Sequence, residues 1–211
     1  MVTRGTAVCF PALCGRMNAM LLDVLLVPVA WLVGTFPSAT LVARAHGREI
    51  TREGSGNPGA SNVQRVLGWK AGLFVFLIDF AKGAAMAGLG LWVGGRAGAF
   101  ALGGAAILGH VFPIYRKGGK GVATGAGVLI VLYPVMVLVG LALWLLIARV
   151  LHKASLASLL TAIAFPVAAL LLCYDLWEVG LLCVLAALIV LRHSGNIKRL
   201  LRREEIDLGK G

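Results

Sequence analysis

Residues 122–151 read VATGAGVLIVLYPVMVLVGLALWLLIARVL, a largely apolar run that is too long for one membrane crossing. A spanning helix needs about 20 apolar residues. Pro134 lies near the middle of the run, so a turn near Tyr133–Pro134 would divide it into two short helices. The first of these, residues 122–132, would rise only about 16 Å at 1.5 Å per residue. We therefore expect a short, partly inserted helix that is buried among its neighbours.

Basic residues indicate whether this run crosses the membrane once or twice. They cluster in four segments, namely residues 44–70, residues 116–121, residues 149–153 and the tail from Arg192 onward. If the run crosses twice, all four segments fall on one side, and the other side receives only Arg96 and the acidic turn at residues 175–178. Loops rich in Lys and Arg favour the cytoplasmic side. The charge pattern therefore predicts seven transmembrane helices, with the N-terminus outside and the C-terminus in the cytoplasm.

The composition is that of a membrane protein. Of the 211 residues, 59% are hydrophobic and only 14% are charged. Apolar runs lie at about 20–43, 71–94, 97–115, 122–151, 156–173 and 177–192. The sequence therefore predicts an all-α, polytopic integral membrane helix bundle. We expect a disordered or mis-started leader at residues 1–19, one membrane domain at residues 20–205 and a short cytoplasmic tail at residues 206–211.

The charge and the cysteines exclude several classes of partner. The formal net charge is +11, from 20 Lys and Arg against 9 Asp and Glu. In a membrane chain this excess reflects orientation and contact with anionic lipid, and not nucleic acid, although part of it can serve phosphorylated substrates. The four cysteines form no CxxC pair and no metal-ligand spacing. We expect no nucleic-acid partner, no metal and no cofactor.

A glycine-rich polar segment, GSGNPGASN, occupies residues 54–62. Glycines at this density allow turns whose backbone N–H groups bind anions. Ser55, Asn57 and Asn62 add hydrogen-bonding side chains, and Arg65 adds a guanidinium fork that suits phosphate. The segment has two interpretations, an ordinary polar loop or an anion site, and alone it does not decide between them.

A second glycine-rich segment, GHVFPIYRKGGKGVAT, occupies residues 109–124 and places Lys120 at the start of an apolar run. Such a turn suits phosphate, because the backbone N–H groups and the helix dipole point the same way. It is not a P-loop, since the first glycine and the Ser or Thr after the lysine are missing, so mononucleotide binding is not expected. His110 alone is more typical of a structural membrane histidine than of a catalyst.

Two pairs of polar residues lie at the ends of apolar runs. Ser155 and Ser158 share one helix face, and serines at such positions are typical of helix N-caps. His193 and Asn196 also share a face, on a helix that leaves the membrane. The basic residues around that second pair are equally typical of a segment that touches anionic lipid.

Asp79 and Lys82 lie three residues apart inside the second apolar run. Ionisable residues within a membrane segment are usually functional, but a purely structural ion pair is an equal alternative. Under the seven-helix arrangement, both glycine-rich segments, the serine pair and the basic tail reach the cytoplasmic interface. The sequence therefore predicts one polar site at that interface.

Five segments, in this order, resemble the bacterial acyl-phosphate:glycerol-3-phosphate acyltransferase family of the PlsY type. They are GSGNPGASNVQRVLG at 54–68, DFAKG at 79–83, GHVFPIYRKGGKGVAT at 109–124, SLAS at 155–158 and RH-x-x-NI-x-RLL at 192–201. The resemblance covers the predicted domain at 20–205. It implies a seven-helix enzyme of the bacterial cell membrane whose active site faces the cytoplasm. Its substrates would be acyl phosphate and glycerol 3-phosphate, and its products 1-acylglycerol 3-phosphate (lysophosphatidate) and phosphate.

The resemblance and the anion-binding chemistry together imply roles for individual residues. Catalytic roles are expected for Ser55, Arg65, Lys120, His193 and Asn196. Substrate-binding roles are expected for Gly54, Asn57, Asn62, His110, Gly118, Gly119, Gly121 and Ser158. Glu205 matches a tail carboxylate that serves structure. The chain departs from the usual family residues at Thr35, Pro58, Ser61 and Arg203, and none of these departures removes an expected contact.

Acyl phosphate is a mixed anhydride with a good leaving group, so the glycerol hydroxyl can attack its carbonyl directly. The resemblance implies that a phosphate oxygen of the donor accepts the proton, and His193 as general base is the alternative. None of the four histidines begins the His-x4-Asp motif of soluble-type glycerolipid acyltransferases. The runner-up function is a membrane transporter or scaffold for phosphorylated lipid precursors. The oligomeric state stays open, and a monomer is plausible.

Overall fold

The computed structural model describes residues 25–114 and 116–209, and every regular element in these two ranges is a helix. Helix α1 is described over residues 25–34. It is followed by α2 (Ser38–Ala45), α3 (Ala60–Leu67), α4 (Trp69–Val111), α5 (Val122–Leu132), α6 (Pro134–Leu151), α7 (Ala154–Leu171), α8 (Leu176–Arg192) and α9 (Ser194–Leu201). The all-α prediction is therefore confirmed for the described residues. The leader predicted at residues 1–19 lies outside them.

Helix α4 is two helices joined at a break. Gly94 and Gly95 leave helical geometry, with φ/ψ of −123°/15° and 63°/−151°. The break falls between the predicted apolar runs 71–94 and 97–115, so the prediction of two separate runs is confirmed. The two halves then pack closely, since a Cβ atom built on Gly90 would lie 2.2 Å from the carbonyl oxygen of Gly98.

The predicted division of residues 122–151 is confirmed as well. Helix α5 ends at Leu132, Tyr133 has φ −140° and ψ 61°, and Pro134 opens the 18-residue helix α6. Proline suits this position because it has no N–H to donate and its fixed φ matches the first helical turn. The run is therefore two helices separated by Tyr133, and not one continuous helix.

Helix α5 is accommodated by close packing against α4. A Cβ atom on Gly83 would lie 2.1 Å from the carbonyl oxygen of Thr124, and one on Gly127 would lie 1.9 Å from that of Phe80. Only glycine permits backbones to approach this closely, as at many helix contacts in membrane proteins. Buried residues occupy six of the eleven positions of α5. The expectation of a short helix buried among its neighbours is thus confirmed.

Several helices have the length and apolar surface of membrane spans. Four segments qualify: Leu25–Ala45, Trp69–Val111, Pro134–Leu151 and Ala154–Leu171. Helices α8 and α9, which meet at a bend of 60°, make a fifth when taken as one broken span. Large apolar side chains such as Val135, Leu171 and Leu176 point out of the bundle, as lipid-facing residues do. The chain is an integral membrane helix bundle.

One end of the bundle is closed by a buried carboxylate. Glu178, at the start of α8, receives hydrogen bonds from the Nε and Nη2 atoms of Arg96 and from the Tyr133 hydroxyl. Arg96 also lies 5.0 Å from the centre of the Tyr133 ring, and its Nη1 atom donates to the carbonyl oxygen of Leu132. These contacts tie together the α4 break, the α5–α6 turn and α8. We call this end of the bundle the Arg96 end.

Candidate active site

The loops at the other end of the bundle converge on one cavity of about 510 Å³. Its polar lining includes Ser55, Asn57, Asn62, Arg65, His110, Lys120, Ser158, His193 and Asn196. Its apolar lining includes Trp69, Phe76, Phe80, Leu129, Trp144, Phe165 and Leu185. All five residues expected to be catalytic therefore line the same cavity, which joins a polar end to an apolar one.

Asn62 shapes the first glycine-rich loop. Its Oδ1 atom accepts a hydrogen bond of 2.7 Å from the N–H of Ser55, and its Nδ2 atom donates to the carbonyl oxygens of Ile50 and Glu53. Gly54 has φ +57° and has no room for a Cβ atom, which would lie 2.3 Å from Asn62 Oδ1. Both residues thus fold the loop that carries Ser55. Their predicted contact with substrate stays a prediction.

The second glycine-rich loop reaches the cavity through Lys120 and Gly121. The N–H of Gly119 donates to the carbonyl oxygen of His110 at 3.0 Å, so it is used inside the loop. The carbonyl oxygens of Gly118 and Gly119 accept hydrogen bonds from Arg192. Neither glycine belongs to the cavity lining. The Gly119 N–H and the two carbonyl oxygens thus have partners inside the protein. The expected contact of Gly118 and Gly119 with substrate stays a prediction.

Lys120 contacts the helix that follows the last apolar run. Its Nζ atom donates to Oδ1 of Asn196 at 2.5 Å, and Nδ2 of Asn196 donates to Glu205 Oε1 at 2.6 Å. Glu205 also accepts from the Ser155 hydroxyl at 2.8 Å and from Arg199 Nε at 2.8 Å. Asn196 and Glu205 are both buried. The structural role implied for Glu205 agrees with these three bonds.

Burial and neighbouring charges change the acidity of this group. Burial lowers the pKa of Lys120 to about 8; the carboxylate of Glu205 opposes this effect, and the guanidinium groups of Arg199, Arg65 and Arg192 add to it. Burial by itself raises the pKa of Glu205, but hydrogen bonds from Asn196, Ser155 and Arg199 outweigh it and hold that pKa below its usual value. Glu205 is therefore a carboxylate, and Lys120 loses its proton near pH 8.

The two serines of α7 do not cap the helix. Lys153 occupies the N-cap position and α7 has no side-chain cap, so the capping prediction is wrong because the helix begins too early for either serine. Ser155 instead donates to Glu205. Ser158 donates to the carbonyl oxygen of Ala154 at 2.9 Å and accepts from Trp144 Nε1 at 3.0 Å. Ser158 therefore lines the cavity in contact with Trp144 of its apolar lining.

His193 lies at the bend between α8 and α9, and not within a continuous helix as the sequence suggested. Its ring is buried, with Nδ1 lying 2.7 Å from the carbonyl oxygen of Ile189. A ring nitrogen this close to a carbonyl oxygen must carry the hydrogen. In the neutral ring, Nε2 is then the acceptor. His193 can therefore accept a hydrogen bond or a proton at Nε2.

Arg65 is buried and faces the end of the chain. Its Nε atom donates to the carbonyl oxygen of Asp207 at 2.9 Å, and its Nη2 atom donates to that of Ile206 at 3.2 Å. Sequence reasoning missed these partners, because it assigned residues 206–211 to a separate tail. The one available signal was an acidic group, Glu204, Glu205 and Asp207, within an otherwise basic segment.

A second buried polar cluster adjoins the cavity. Lys82 Nζ lies 2.8 Å from Asp79 Oδ1 and 2.9 Å from His110 Nδ1. The hydroxyl of Ser38 donates to Asp79 at 2.7 Å, and Lys82 also donates to the carbonyl oxygen of Phe36. The predicted Asp79–Lys82 pair thus exists. His110 belongs to this cluster through Nδ1, and its predicted contact with substrate stays a prediction.

Among the described residues, no group of three or more His, Cys, Asp or Glu side chains is arranged to hold a metal ion. The site is instead dominated by cations. Lys120, Arg65, Arg192 and Arg199 lie around the carboxylate of Glu205, and the carboxylate of Asp207 also acts on Arg65. Such a surrounding suits an anionic ligand that carries at least two negative charges.

Comparison with known proteins assigns the chain to a family. A family model described as "Glycerol-3-phosphate acyltransferase" matches residues 24–203. A glycerol-3-phosphate acyltransferase of Thioalkalivibrio sulfidiphilus is 42% identical, over 90% of this chain and 96% of its own length. One of Ralstonia pickettii is 38% identical, over 92% and 98%.

The fold agrees with a solved structure. A crystal structure of PlsY, described as an integral membrane glycerol 3-phosphate acyltransferase in its glycerol 3-phosphate form, superposes with a TM-score of 0.84 and 36% identity. The match covers 89% of this chain and 96% of that one. A second PlsY structure, the lysophosphatidic acid form, has a TM-score of 0.81 and 35% identity. The chain belongs to the glycerol-3-phosphate acyltransferase family.

Proposed function

We propose that this protein transfers a fatty acyl group from acyl phosphate to the 1-hydroxyl of glycerol 3-phosphate. The products are 1-acylglycerol 3-phosphate and phosphate. The observation that carries this proposal is the two-part cavity, in which a cationic end continues into an apolar one. Both substrates bring a phosphate, and only the donor brings a long apolar chain, so one cavity of this kind accommodates the pair.

The apolar part of the cavity is open to the side of the bundle. Trp69 and Leu73 on α4, and Leu141 and Leu145 on α6, line the cavity and are also exposed on the outer surface. In a membrane this opening faces lipid tails. The acyl chain of the donor can therefore enter from the bilayer, while glycerol 3-phosphate enters from the polar end.

The reaction is a direct acyl transfer. The 1-hydroxyl oxygen of glycerol 3-phosphate bonds to the acyl carbonyl carbon, and the bond from that carbon to the phosphate oxygen breaks. The hydroxyl proton passes to an oxygen of the departing phosphate, so no enzyme-bound acyl intermediate is required. Arg65 and Lys120 bind phosphate, because both line the cavity and Arg65 is a buried cation while Lys120 is a half-buried one. Cationic groups and N–H donors stabilise the negative charge that develops on the carbonyl oxygen.

The remaining cavity residues orient the two substrates. Ser55 and Asn57 offer hydrogen bonds from the first loop, and Gly121 lies at the start of α5. Ser158 lines the cavity in contact with its apolar lining, which suits a contact near the reacting carbonyl. His193 offers Nε2 to the attacking hydroxyl or to a substrate phosphate. The site needs no cofactor for this chemistry.

Within the membrane, we assign seven crossings. They are α1 with α2, the two halves of α4, α5, α6, α7 and α8. The support is the break at Gly94–Gly95, the turn at Tyr133 and the distribution of basic loops. The N-terminus is then outside, and the active site faces the cytoplasm at the bacterial cell membrane. Glu178 and Arg96 lie at the outer end.

The direct test is an assay with purified protein in detergent. We expect phosphate release and formation of 1-acylglycerol 3-phosphate only when acyl phosphate and glycerol 3-phosphate are both present. Acyl-CoA and acyl-carrier protein should not replace acyl phosphate, and Lys120→Ala should lose the activity. Turnover with acyl-CoA alone would contradict the donor assignment. Binding of both substrates without product would favour the transporter or scaffold.

A further inference from the structure

The last described residues of the chain return to the active site. We name residues 203–208 the C-terminal strap. The carbonyl oxygens of Ile206 and Asp207 accept the two hydrogen bonds from the guanidinium of Arg65, at 3.2 Å and 2.9 Å. These residues lie more than 140 positions apart in sequence. The bonds use Nε and Nη2, so Nη1 is the atom that they leave for a ligand.

The strap also determines how the Asn196 amide is turned. This amide lies between the carboxylate of Glu205, which only accepts hydrogen bonds, and the ammonium of Lys120, which only donates them. Only one orientation satisfies both, with Nδ2 toward Glu205 and Oδ1 toward Lys120. Without Glu205 the amide could turn over and direct its NH₂ group toward the ammonium. Glu205 therefore controls the placement of Lys120 through Asn196.

The strap is anchored away from the cavity, on the turn between α6 and α7. Lys153 Nζ lies 2.6 Å from Asp207 Oδ1 and also donates to the carbonyl oxygen of Glu205. The N–H of Leu208 donates to the carbonyl oxygen of His152 at 2.8 Å. Neither Lys153 nor Asp207 lines the cavity. A change in either residue therefore acts on a bound substrate indirectly, without removing a cavity contact.

We propose that the C-terminal strap is a positioning element of the phosphate site, which holds Arg65 and Asn196 in the orientation that binds glycerol 3-phosphate. This rests on the proposed function. We assign the phosphate of glycerol 3-phosphate to Arg65, because in this substrate the phosphate is bonded to the third carbon and the reacting hydroxyl to the first. The phosphate of the donor, in contrast, is bonded directly to the reacting acyl group. The strap borders the polar end, where the more distant of the two phosphates belongs.

The anchor can be weakened without touching the cavity. Lys153→Gln and Asp207→Asn each remove one charge of the ion pair. Calorimetric titration of the full-length protein with glycerol 3-phosphate should then give a dissociation constant at least about fivefold higher in each variant. The double variant should be no worse than the single ones, since both changes break the same contact. Lys153→Arg, which keeps the charge, should bind as the wild type does.

Controls separate positioning from folding. Lys198→Gln removes one charge from an exposed position on α9 and should leave the dissociation constant unchanged. Steady-state kinetics of the anchor variants should show a higher KM for glycerol 3-phosphate, with KM for acyl phosphate and kcat nearly unchanged. Unchanged affinity in both single variants would overturn the strap proposal, even if their melting temperatures fell. Absence of binding by the wild type would instead overturn the proposed function.

Discussion

The ammonium of Lys120 lies 2.5 Å from the amide oxygen of Asn196, although the two residues are 76 positions apart. This contact joins the second glycine-rich loop to α9 and leaves the lysine half-buried near three arginines. Lys120 binds phosphate strongly while its amine is protonated. Because its pKa is lowered, it loses this charge at a lower pH than an exposed lysine does. The pH dependence of the enzyme should therefore report on this residue.

We expect KM for a phosphate-bearing substrate to increase as pH rises through about 8, because the pKa of Lys120 is about 8. The second pKa of a phosphate monoester is about 6, so the substrate does not titrate there. Lys120→Arg should be less active, since a planar fork does not replace a compact ammonium. Its KM should nevertheless stay constant through that pH range. A rise that persists unchanged in Lys120→Arg would assign the titration to another group.

The same lysine affects stability with the opposite trend. The unfolded chain keeps its lysine protonated up to a pKa of about 10.4, whereas the folded protein releases the proton near 8. The unfolded state thus binds more protons between these values, and the free energy of unfolding should increase with pH in that window. Chemical unfolding in detergent at several pH values measures this trend, which Lys120→Met should abolish.

Arg65 should not tolerate replacement by lysine. Arg65→Ala should lower kcat/KM by about 100-fold or more, as expected for loss of a charged donor in the site. Arg65→Lys should recover little, because a compact ammonium does not reproduce the planar fork that reaches both carbonyl oxygens of the strap and still presents an N–H to a phosphate. Arg52→Lys, at an exposed position paired with Glu49, is the matched control. Near-wild-type kinetics of Arg65→Lys would show that substrate binding does not need the guanidinium fork.

Much of the fold could be predicted from local features. Pro134 and the Gly94–Gly95 pair interrupt apolar runs, and both coincide with breaks in the structure. The two glycine-rich segments, the serine pair and the basic tail lie at the ends of these runs and were predicted to form one site. Ser55, Arg65, Lys120 and His193 do line one cavity. The lengths of the apolar runs and the positions of the basic loops were enough for this prediction, because the thickness of the bilayer and the orientation of basic loops constrain both.

The remaining contacts of the site involve backbone groups of distant residues, and no sequence pattern predicts them. Any residue supplies a carbonyl oxygen, so the bonds from Arg65 to residues 206 and 207 could not be foreseen. The same holds for the N–H of Gly119, which the loop uses internally. The bend at His193 lacks a proline, and its ring bonds the carbonyl oxygen of Ile189 in the preceding turn.

The membrane topology can be tested by accessibility labelling of single-cysteine variants. We expect cysteines at positions 117, 153 and 198 to react only with reagent supplied from the cytoplasmic side. The native Cys173, which is exposed at the α7–α8 turn, should react from the outside and serves as the matched reference. Labelling of position 153 from outside would contradict the division of residues 122–151 into two crossings.

The Asp79–Lys82 pair should contribute to stability. Both side chains are buried, and removing one partner leaves an uncompensated charge, which costs about 3–5 kcal/mol. Asp79→Asn should therefore lower the melting temperature markedly, and Asp79→Asn with Lys82→Met should recover part of the loss. Glu49→Gln breaks the exposed pair with Arg52 and should change little. A stable Asp79→Asn protein that has lost activity would instead assign the pair to function.

The last prediction concerns the proton of the attacking hydroxyl. If a phosphate oxygen of the donor accepts it, no side chain is the base, and His193 serves by holding substrate through Nε2. His193→Gln should then lower turnover, while the pH–rate profile of the residual activity keeps the wild-type shape. The chemistry of the donor favours this route, because the donor brings its own phosphate oxygens next to the reacting carbonyl.

A base role for His193 would give a different profile. Burial, and after it the charge of Lys120, lower the pKa of His193 to about 4. As the base it would therefore make the wild-type rate fall as pH drops toward 4, and His193→Gln would lose this limb. The substrate phosphate titrates higher, at about 6, and its titration is followed separately by ³¹P NMR. Ser155→Ala, which removes a nearby hydroxyl bonded to Glu205 and not to His193, is the control variant and should keep the limb if it exists. A limb that disappears only in His193→Gln, with the phosphate titration unchanged, would establish His193 as the base. A limb that follows the phosphate in every variant would instead assign the proton to the donor.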